Sequence, residues 1–301
     1  MKIVITGATG FIGSALVKKL HASGYKPVLL SRRHRQTSAF QNAVSVSWNP
    51  ENENEIVKEI DGADAVINLA GEPIVGKRWS KIQKMKILES RVRATRTVVH
   101  SIKQANEKPA VLINASAVGY YGSRGTEELT EESHPGSGFL TDVCKAWEAH
   151  AIRAEDFGVR VVRIRTGIAL EKTGGALQKM LPPFRFGMGG WLGNGNQWMS
   201  WIHLEDLLRL ILFCVENEKA KGAVNAISPQ PVTNKVFSMV LAQVLNRPCL
   251  MPVPAFALKL LMGEMSEILL GSQRVLPKKA RELGFSFQYP DIRKALEAAL
   301  H

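Results

Sequence analysis

The chain opens with a strand pattern, a glycine-rich turn and a helix pattern in direct succession. The β-branched run KIVIT leads into TGATGFIG, which contains Gly7, Gly10 and Gly13. Glycines at this spacing let the chain turn tightly, let backbone amides approach a pyrophosphate and let the helix pack closely on its strand. In this strand and helix context, the motif predicts a βαβ unit that binds a dinucleotide.

The end of the second predicted strand bears on which dinucleotide is bound. Gly24 ends the first helix, and an apolar strand follows at 27–30. A site for NAD carries an acidic residue at the end of this strand, whereas this chain has Ser31, Arg32 and Arg33 there. A hydroxyl and two guanidinium groups suit the 2′-phosphate of NADP, which we therefore predict as the cofactor. The alternative is that both arginines are exposed side chains without a ligand.

Further apolar strands alternate with helix patterns along the chain. They cover 63–69, 110–115 and 159–165, and small residues follow the first two. Repeated β and α units with nearly continuous apolar strands predict an α/β fold, a Rossmann-type doubly wound parallel sheet. We expect residues 1–228 to form the NADP-binding Rossmann domain and residues 229–301 to form a small carboxyl-terminal lobe.

The composition excludes several other classes of protein. With 45% hydrophobic and 22% charged residues, the chain matches a globular protein and not a disordered one. Its longest uncharged stretch, 186–202, is interrupted by five glycines, so we expect no membrane span. The first residues lack a signal-peptide pattern, and we expect a cytoplasmic location. The three cysteines are far apart with no histidine at ligand spacing, so no metal site or disulfide is expected.

The chain is strongly basic, with 39 Lys and Arg against 27 Asp and Glu, a net charge of +12. The densest basic stretch, 77–96, reads as one helix with an apolar stripe. Trp79 is its one aromatic residue, so we do not expect a nucleic-acid partner, which would need bases stacked on aromatic rings. The stretch is interpreted either as a solvated helix face or as a contact with a phosphate-bearing small molecule.

A glycine-rich segment at 181–201 is the predicted lid of a substrate cleft. It contains Trp191, Trp198 and Trp201 among five glycines. Aromatic faces on such a loop suit a sugar or a flat apolar ligand, but the same tryptophans could equally be core residues beneath a long connection.

Two groups of residues near the predicted lobe have simpler explanations than a ligand site. His203, Glu205 and Asp206 precede an apolar helix at 207–215, and capping of that helix by the two acids is predicted rather than a metal cluster. Apolar residues at helical spacing in the lobe are either core residues or a homodimer contact. These apolar residues of the lobe are Met262, Met265, Leu269 and Leu270.

Motifs over nearly the whole chain carry a family resemblance. TGATGFIG, the NLAG that follows a strand, and WIHLED resemble the NAD-dependent epimerase/dehydratase-like branch of the extended short-chain dehydrogenase/reductase superfamily. More narrowly, NLAGEPI, ASAVGYYG, KAWE, RTGIALEKTGGAL and GSQRVLP in this order look like the "epimerase family" proteins, sometimes called cell-division-inhibitor-like. The resemblance implies a Rossmann domain and a carboxyl-terminal lobe that closes over a small-molecule substrate.

The resemblance also implies which residues hold the cofactor. The glycine turn would bind the pyrophosphate, Ser31 and Arg32 the 2′-phosphate, and the residues after NL the adenosine side. Arg91 and Arg165 look like further cofactor-contacting positions. The full predicted set is Gly7, Thr9, Gly10, Phe11, Ile12, Gly13, Ser31, Arg32, Leu69, Ala70, Arg91, Lys145 and Arg165.

The catalytic signature departs from the superfamily pattern. Its members use Tyr-x-x-x-Lys on one helix face, where the ammonium lowers the pKa of the phenol. Here the matching register has Thr141 and Lys145, and a threonine hydroxyl cannot exchange a proton near neutral pH. We select Ser116, Tyr121 and Lys145 as catalytic candidates. Other groups considered for proton transfer are Glu72, Tyr120 and His203.

Two functions remain open from the sequence. The first is an NADP-dependent oxidoreductase or epimerase that acts on a sugar-like or other small carbonyl compound. The second is a sensor or scaffold that binds NADP(H) and does little chemistry. The missing tyrosine favours the sensor or scaffold. The predicted lid segment at 181–201 favours the enzyme, because it would complete a substrate cleft.

Overall fold

The computed structural model describes residues 1–31, 44–52 and 54–301. Its strands are numbered along the chain. They are β1 (Lys2–Thr6), β2 (Lys26–Ser31), β3 (Val44–Ser47), β4 (Ala65–Asn68), β5 (Val111–Ala117), β6 (Glu128–Leu129), β7 (Arg160–Thr166), β8 (Ile168–Leu170), β9 (Trp198–Met199), β10 (Trp201–His203), β11 (Gly222–Ala226), β12 (Val232–Thr233) and β13 (Arg274–Val275).

Helices alternate with these strands. They are α1 (Phe11–Ala22), α2 (Val57–Ile60), α3 (Lys81–Gln104), α4 (Phe139–Ile152), α5 (Gly175–Arg185), α6 (Leu204–Glu216), α7 (Asn234–Val244), α8 (Ala255–Met262), α9 (Glu267–Leu270), α10 (Lys278–Glu282) and α11 (Ile292–Leu300). Across the described ranges, no helix is long and apolar enough to cross a membrane.

Seven strands form a parallel sheet in the order β11-β7-β5-β4-β1-β2-β3. From β1 the chain adds strands first on one side and then, from β4 onward, on the other. A sheet of this kind places a cleft where the order reverses, at the carboxyl ends of β1 and β4. The predicted doubly wound parallel sheet is therefore confirmed.

Helices cover both faces of the sheet, because successive strand residues point to opposite sides. Ile3 and Ile5 of β1 pack with α1 and α6 in one core cluster, and Val4 packs with α3 in another. All three residues have no exposed surface. Burial on both faces explains why the strands read as continuous apolar runs.

A third apolar cluster builds the carboxyl-terminal lobe. It unites Leu177 of α5, Trp201 of β10, Phe237 of α7 and Leu296 of α11. Residues on both sides of position 228 therefore share one core, and the predicted boundary there stays a prediction. Trp201 is fully buried, which decides between the two interpretations of that tryptophan in favour of the core.

The remaining predicted lid tryptophans are half-buried beneath cations. Trp198 lies 4.6 Å from the guanidinium of Arg274, and Trp191 lies 5.0 Å from the ammonium of Lys235. Cation–π contacts of this kind fix the rings from one side. Whether the opposite faces meet a ligand stays a prediction.

Candidate functional site

The turn after β1 is shaped by two glycines that the fold itself requires. Gly7 has φ +69°, and a Cβ there would lie 2.6 Å from the carbonyl atoms of Leu69. A Cβ on Gly13 would lie 2.3 Å from the carbonyl oxygen of Gly7. Neither distance is possible for a real side chain, so both positions admit only glycine. The loop after β4 therefore touches the glycine turn directly.

Gly10 differs from its two neighbours in the motif. It is the N-cap of α1, and a Cβ there would meet only the carbonyl oxygen of Gly7, at 3.2 Å. Packing inside the chain therefore constrains this position less than Gly7 and Gly13. The helix has no acidic residue in its first turn, and no side chain of the described residues caps it. Open backbone amides at a helix N-terminus fit a pyrophosphate group.

The other predicted residues of this turn have mixed surroundings. Thr9 is exposed, while Phe11 and Ile12 are half-buried. The ring of Phe11 packs against Gly174, where an added Cβ would lie 2.2 Å from Cδ2. The side chain of Phe11 is therefore used for packing, and its backbone amide is what a ligand would meet.

A buried polar network supports the loop after β4. Asn68 Oδ1 accepts a hydrogen bond from Thr6 Oγ1 at 2.5 Å. Asn68 Nδ2 donates to Thr95 Oγ1 at 2.9 Å and to Asn114 Oδ1 at 2.6 Å. These contacts tie β1, α3, β4 and β5 together directly beneath Leu69 and Ala70. The sequence analysis missed this network, although polar residues at the ends of apolar strands were a signal for it.

Arg91 lies beneath the same loop. Its Nη1 donates to the carbonyl oxygens of Glu72 at 2.9 Å and of Ile87 at 3.0 Å. Its guanidinium lies 5.0 Å from the ring of Trp147, and burial lowers the pKa of Arg91. A Cβ added to Gly71 would lie 3.0 Å from Cζ of Arg91. Among the described residues, both hydrogen bonds of this guanidinium use Nη1, which leaves Nη2 for a ligand.

Helix α4 turns one member of the predicted pair inward and the other to the surface. Thr141 is buried, and its hydroxyl donates to the carbonyl oxygens of Gly119 at 3.0 Å and Ser137 at 3.2 Å. Lys145 is exposed. The inward position is instead Cys144, whose thiol lies 3.7 Å from the carbonyl oxygen of Ala117. The geometry therefore gives no support to a role for Lys145 at the nicotinamide ribose.

The sheet-facing side of α4 carries Leu140, Cys144 and Glu148 beside Thr141. Leu140 and Cys144 both lie against Gly119, as the contacts of an added Cβ there indicate, and the hydroxyl of Thr141 bonds to the carbonyl oxygen of the same residue. Burial raises the pKa of Cys144 to about 11, which leaves the thiol neutral. This side of the helix therefore carries neither a phenol nor an ammonium.

Glu148 is the centre of a buried ion cluster. Its two carboxylate oxygens accept hydrogen bonds from Arg165 at 2.8 and 2.9 Å, and from Arg163 at 2.9 Å. Ser116 Oγ donates to the same carboxylate at 2.7 Å. Burial alone would raise the pKa of Glu148, but the hydrogen bonds and charge of Arg165 lower it overall. Ser116 is therefore held by an ionised carboxylate, and Arg165 is used inside the protein.

Tyr121 is enclosed by the same cluster. It has 0% exposure. Its hydroxyl donates to Asn225 Oδ1 at 2.7 Å and accepts from Arg165 Nη1 at 2.9 Å. Burial raises the pKa of Tyr121 to about 12, against the opposing effect of Arg165. A phenol that is enclosed and this weakly acidic cannot exchange protons with a substrate, so the structure does not support the catalytic role predicted for Tyr121.

The other proton-transfer candidates also have partners within the protein. Tyr120 lies against Arg165, with the guanidinium carbon 3.4 Å from its ring centre. His203 Nδ1 accepts the backbone N–H of Glu205 at 3.2 Å, so the N-cap of α6 is the imidazole, and the two acids predicted to cap the helix lie inside its first turn. Glu72 Oε1 lies 3.4 Å from the side chains of Lys77 and Gln83. Among the described residues, no cluster of three potential metal ligands is found.

Of the predicted 2′-phosphate residues, Ser31 is the last residue of β2. Ser31 is buried, and its carbonyl oxygen accepts the backbone N–H of Trp48 at 2.9 Å. Arg32 and Arg33 lie outside the described residues. Their preference for NADP therefore rests on sequence alone.

Comparison with known proteins identifies the family of this chain. The sequence model of the NAD dependent epimerase/dehydratase family matches residues 3–227. The chain belongs to this family. Residues 253–299 also match a separate domain of unknown function, DUF1731.

Relatives and solved structures cover the full length of the chain. It is 42% identical over 303 residues to an Arabidopsis thaliana protein, "Epimerase family protein SDR39U1 homolog, chloroplastic", covering 100% of this chain and 87% of the relative. It is 41% identical to "Epimerase family protein YfhF" of Bacillus subtilis, covering 98% and 97%. The structure of human epimerase family protein SDR39U1 (isoform2) with NADPH has a TM-score of 0.90, 30% identity and 100% coverage of both chains.

Membership of the epimerase/dehydratase family confirms the resemblance drawn from the motifs. The sequence indicated some residues of this site and not others. The glycine turn was found because its demands fall on the backbone, at fixed spacing. Glu148 and Asn225 were missed, because their partners are distant in sequence and only the fold brings them to Tyr121 and Arg165.

Proposed function

We propose that this member of the epimerase/dehydratase family is an NADP(H)-dependent, epimerase-like oxidoreductase acting on a sugar-like or other small carbonyl compound. The observation that supports a bound cofactor concerns Gly10. Its backbone is open to a ligand at an uncapped helix N-terminus, whereas packing leaves no room for a side chain at the other two glycines of the motif. The human relative whose structure contains NADPH supports the choice of cofactor. When bound, the nicotinamide supplies hydride transfer.

Each part of the carboxyl edge has a proposed task in cofactor binding. The turn and the start of α1 hold the pyrophosphate through backbone amides, and Ser31 with Arg32 holds the 2′-phosphate. Arg91 Nη2 supplies a further cation from below the loop after β4. The residues of the turn and loop are Gly7, Thr9, Gly10, Phe11, Ile12, Gly13, Leu69 and Ala70.

Ser116 is the proposed orienting group for the reacting end of the ligand. It is a buried residue next to the end of β5, opposite Arg165 in the strand register. Because its proton points to Glu148, its oxygen is left to accept a hydrogen bond from an amide or hydroxyl of the ligand. We thus propose that Ser116 positions the ligand and does not act as an acid.

A second candidate function is supported by the side chains of α4. With Thr141 in the register of the phenol and a neutral thiol at Cys144 beside it, this helix offers no acid of suitable pKa. A sensor or scaffold that binds NADP(H) and does little chemistry needs none. The second lobe and its aromatic residues favour the enzyme, since a sensor has less need of a substrate cleft.

One experiment separates the two functions. Purified protein is mixed with NADPH and a panel of small carbonyl compounds and nucleotide sugars, and the loss of nicotinamide absorbance is followed together with the calorimetric affinity for NADPH. An enzyme oxidises NADPH with at least one compound or interconverts one sugar. Tight NADPH binding without turnover on any compound supports the sensor, and the absence of NADPH binding contradicts both proposals.

A further inference from the structure

One side chain connects the glycine turn with the carboxyl-terminal lobe. Phe11 is the first residue of α1, and its ring lies against Gly174 and Gly175 at the start of α5. An added Cβ at Gly174 would lie 2.2 Å from Cδ2 of this ring, and one at Gly175 would lie 2.9 Å from Cε1. The ring therefore packs against two successive backbone units of a segment that is distant in sequence.

The backbone conformation does not explain why residue 174 is a glycine. Gly174 has φ −167° and ψ −177°, an extended conformation that an alanine also adopts. The three atoms nearest to an added Cβ, at 2.2, 2.6 and 3.0 Å, all belong to the ring of Phe11. A glycine at this position is therefore required by the contact with Phe11 and not by the turn of the chain.

The segment that contacts the ring is fixed to the lobe on both sides. Leu170 precedes it and Leu177 follows it, and neither residue has exposed surface in the core of the lobe. Between them, the backbone N–H of Lys172 donates to the carbonyl oxygen of Ala299 in α11 at 3.3 Å. The packing of the lobe consequently determines where the backbone lies that touches the ring.

The backbone of the same phenylalanine belongs to the cofactor site. By helix geometry, the amides of Phe11, Ile12 and Gly13 have no acceptor within α1. They are the amides that the pyrophosphate meets in the proposed function. Because the ring and the first of these amides belong to one residue, a displacement of the ring also displaces the amide.

We propose that Phe11 is a positioning residue through which the carboxyl-terminal lobe sets the affinity of the glycine turn for NADPH. This inference rests on the proposed function, since it takes the turn as the cofactor site. The lobe holds the ring, the ring holds the first turn of α1, and that turn presents its amides to the pyrophosphate. Because coupling between two sites is reciprocal, NADPH in turn stabilises the segment 171–177 of the lobe.

A pair of matched glycine substitutions tests the contact. Gly174→Ala is expected to weaken NADPH binding by about tenfold, because a methyl group in this closed contact displaces the ring. Gly189→Ala is the control, since a Cβ there would lie 2.3 Å from the ring of Phe184 at the other end of α5. It is expected to lose similar stability in thermal unfolding while its calorimetric affinity for NADPH stays within about twofold of wild type. Unchanged affinity in a folded Gly174→Ala protein, or equal losses in both variants, would overturn the proposal.

A second substitution identifies the ring as the group that is displaced. Phe11→Leu makes room for the added methyl group, so the double variant with Gly174→Ala is expected to bind NADPH more tightly than Gly174→Ala alone. A double variant that binds more weakly than Gly174→Ala would mean that the methyl group acts elsewhere, and would overturn the role of Phe11. Wild type that binds no NADPH would instead contradict the proposed function.

Hydrogen exchange keeps the test available if Gly174→Ala does not fold. In wild type, NADPH is expected to slow the exchange of backbone amides at 171–177, with no change in α7, which belongs to the same lobe core. In Phe11→Leu this slowing is expected to be lost. Exchange at 171–177 that NADPH does not change, or slows equally in wild type and Phe11→Leu, would overturn the proposal.

Discussion

The glycine turn after β1 and the inward face of α4 border the same sheet edge, but they differ in what they retain of the superfamily pattern. The turn has all three glycines, and at two of them an added Cβ would lie only 2.3 and 2.6 Å from backbone atoms. The face of α4 has Leu140, Cys144 and Glu148, without a phenol or an ammonium. The backbone of the first region fits a pyrophosphate, and the side chains of the second pack and pair within the protein.

The largest expected effect concerns the structural role of α4. Glu148→Leu should lower the free energy of unfolding by about 3–5 kcal/mol, because it leaves Arg165 and Arg163 buried without a counter-charge. Urea denaturation followed by circular dichroism measures this loss. A change below about 1 kcal/mol would show that the cluster contributes little, since removing one partner of a buried ion pair normally costs more.

The same cluster predicts a dependence of stability on pH. The pKa of Glu148 is lowered from its ordinary value of 4.5, so its contribution is complete above that value and is lost as the pH falls below it. The difference in stability between wild type and Glu148→Gln should therefore narrow below pH 4.5. A difference that stays constant through this range would mean that the charge of Glu148 is not what stabilises the fold.

The next effect concerns the glycine turn. Gly10→Val should weaken NADPH binding by at least about a hundredfold, or about 3 kcal/mol, because a branched side chain would stand where backbone must meet phosphate. Ala22→Val is the control, since it places the same side chain at the exposed opposite end of α1. Calorimetry gives the affinities, and thermal unfolding checks that both variants are folded. Undiminished NADPH binding by a folded Gly10→Val protein would place the cofactor elsewhere.

A smaller effect is expected on the relative affinity of the cofactor-binding region for NADPH and NADH. Wild type should bind NADPH more tightly than NADH, by about 10- to 100-fold, if Arg32 pairs with the 2′-phosphate. Arg32→Asp should remove or reverse this preference without weakening NADH binding. Competition calorimetry with both nucleotides on both proteins measures it. Equal affinity of the wild type for the two cofactors would contradict the assignment of NADP.

The contrast between the two regions also explains what the sequence could predict. The alternating apolar strands and the glycine spacing depend on neighbours along the chain, so they indicated the parallel sheet, its dinucleotide turn and the family. The partners of Tyr121 are Asn225 and Arg165, 104 and 44 residues away, and no local pattern indicates such pairs. The Thr141 and Lys145 register was predicted from spacing along the helix, and the structure buries Thr141 against Gly119 but leaves Lys145 exposed. Side chains four residues apart differ by only about 40° around a helix, so spacing alone did not indicate which of the two would face solvent.

Tyr121 distinguishes a structural phenol from a catalytic one. Tyr121→Phe removes one donor and one acceptor from a buried network and should cost about 1–2 kcal/mol of stability. Any turnover found in the carbonyl panel should persist, because the phenol is enclosed and its pKa is raised to about 12. Unfolding in denaturant and kcat measured well below the unfolding transition separate the two effects. A loss of kcat without a loss of stability would restore Tyr121 as a catalytic residue.

The smallest expected effect comes from Lys145, and it tests the register on which the whole comparison depends. Lys145→Met should change the NADPH affinity by no more than about 0.5 kcal/mol, as for an ordinary surface substitution, because this side chain is exposed and Cys144 occupies the inward position. Lys103→Met is the matched control, an exposed lysine at the far end of α3 that removes the same charge. Equal, small losses of NADPH affinity in the two variants would mean that only the net charge of the protein matters. A tenfold or greater loss of affinity in Lys145→Met only would mean that α4 turns its lysine to the cofactor when NADPH binds, and the two sides of the sheet edge would then act as one binding site.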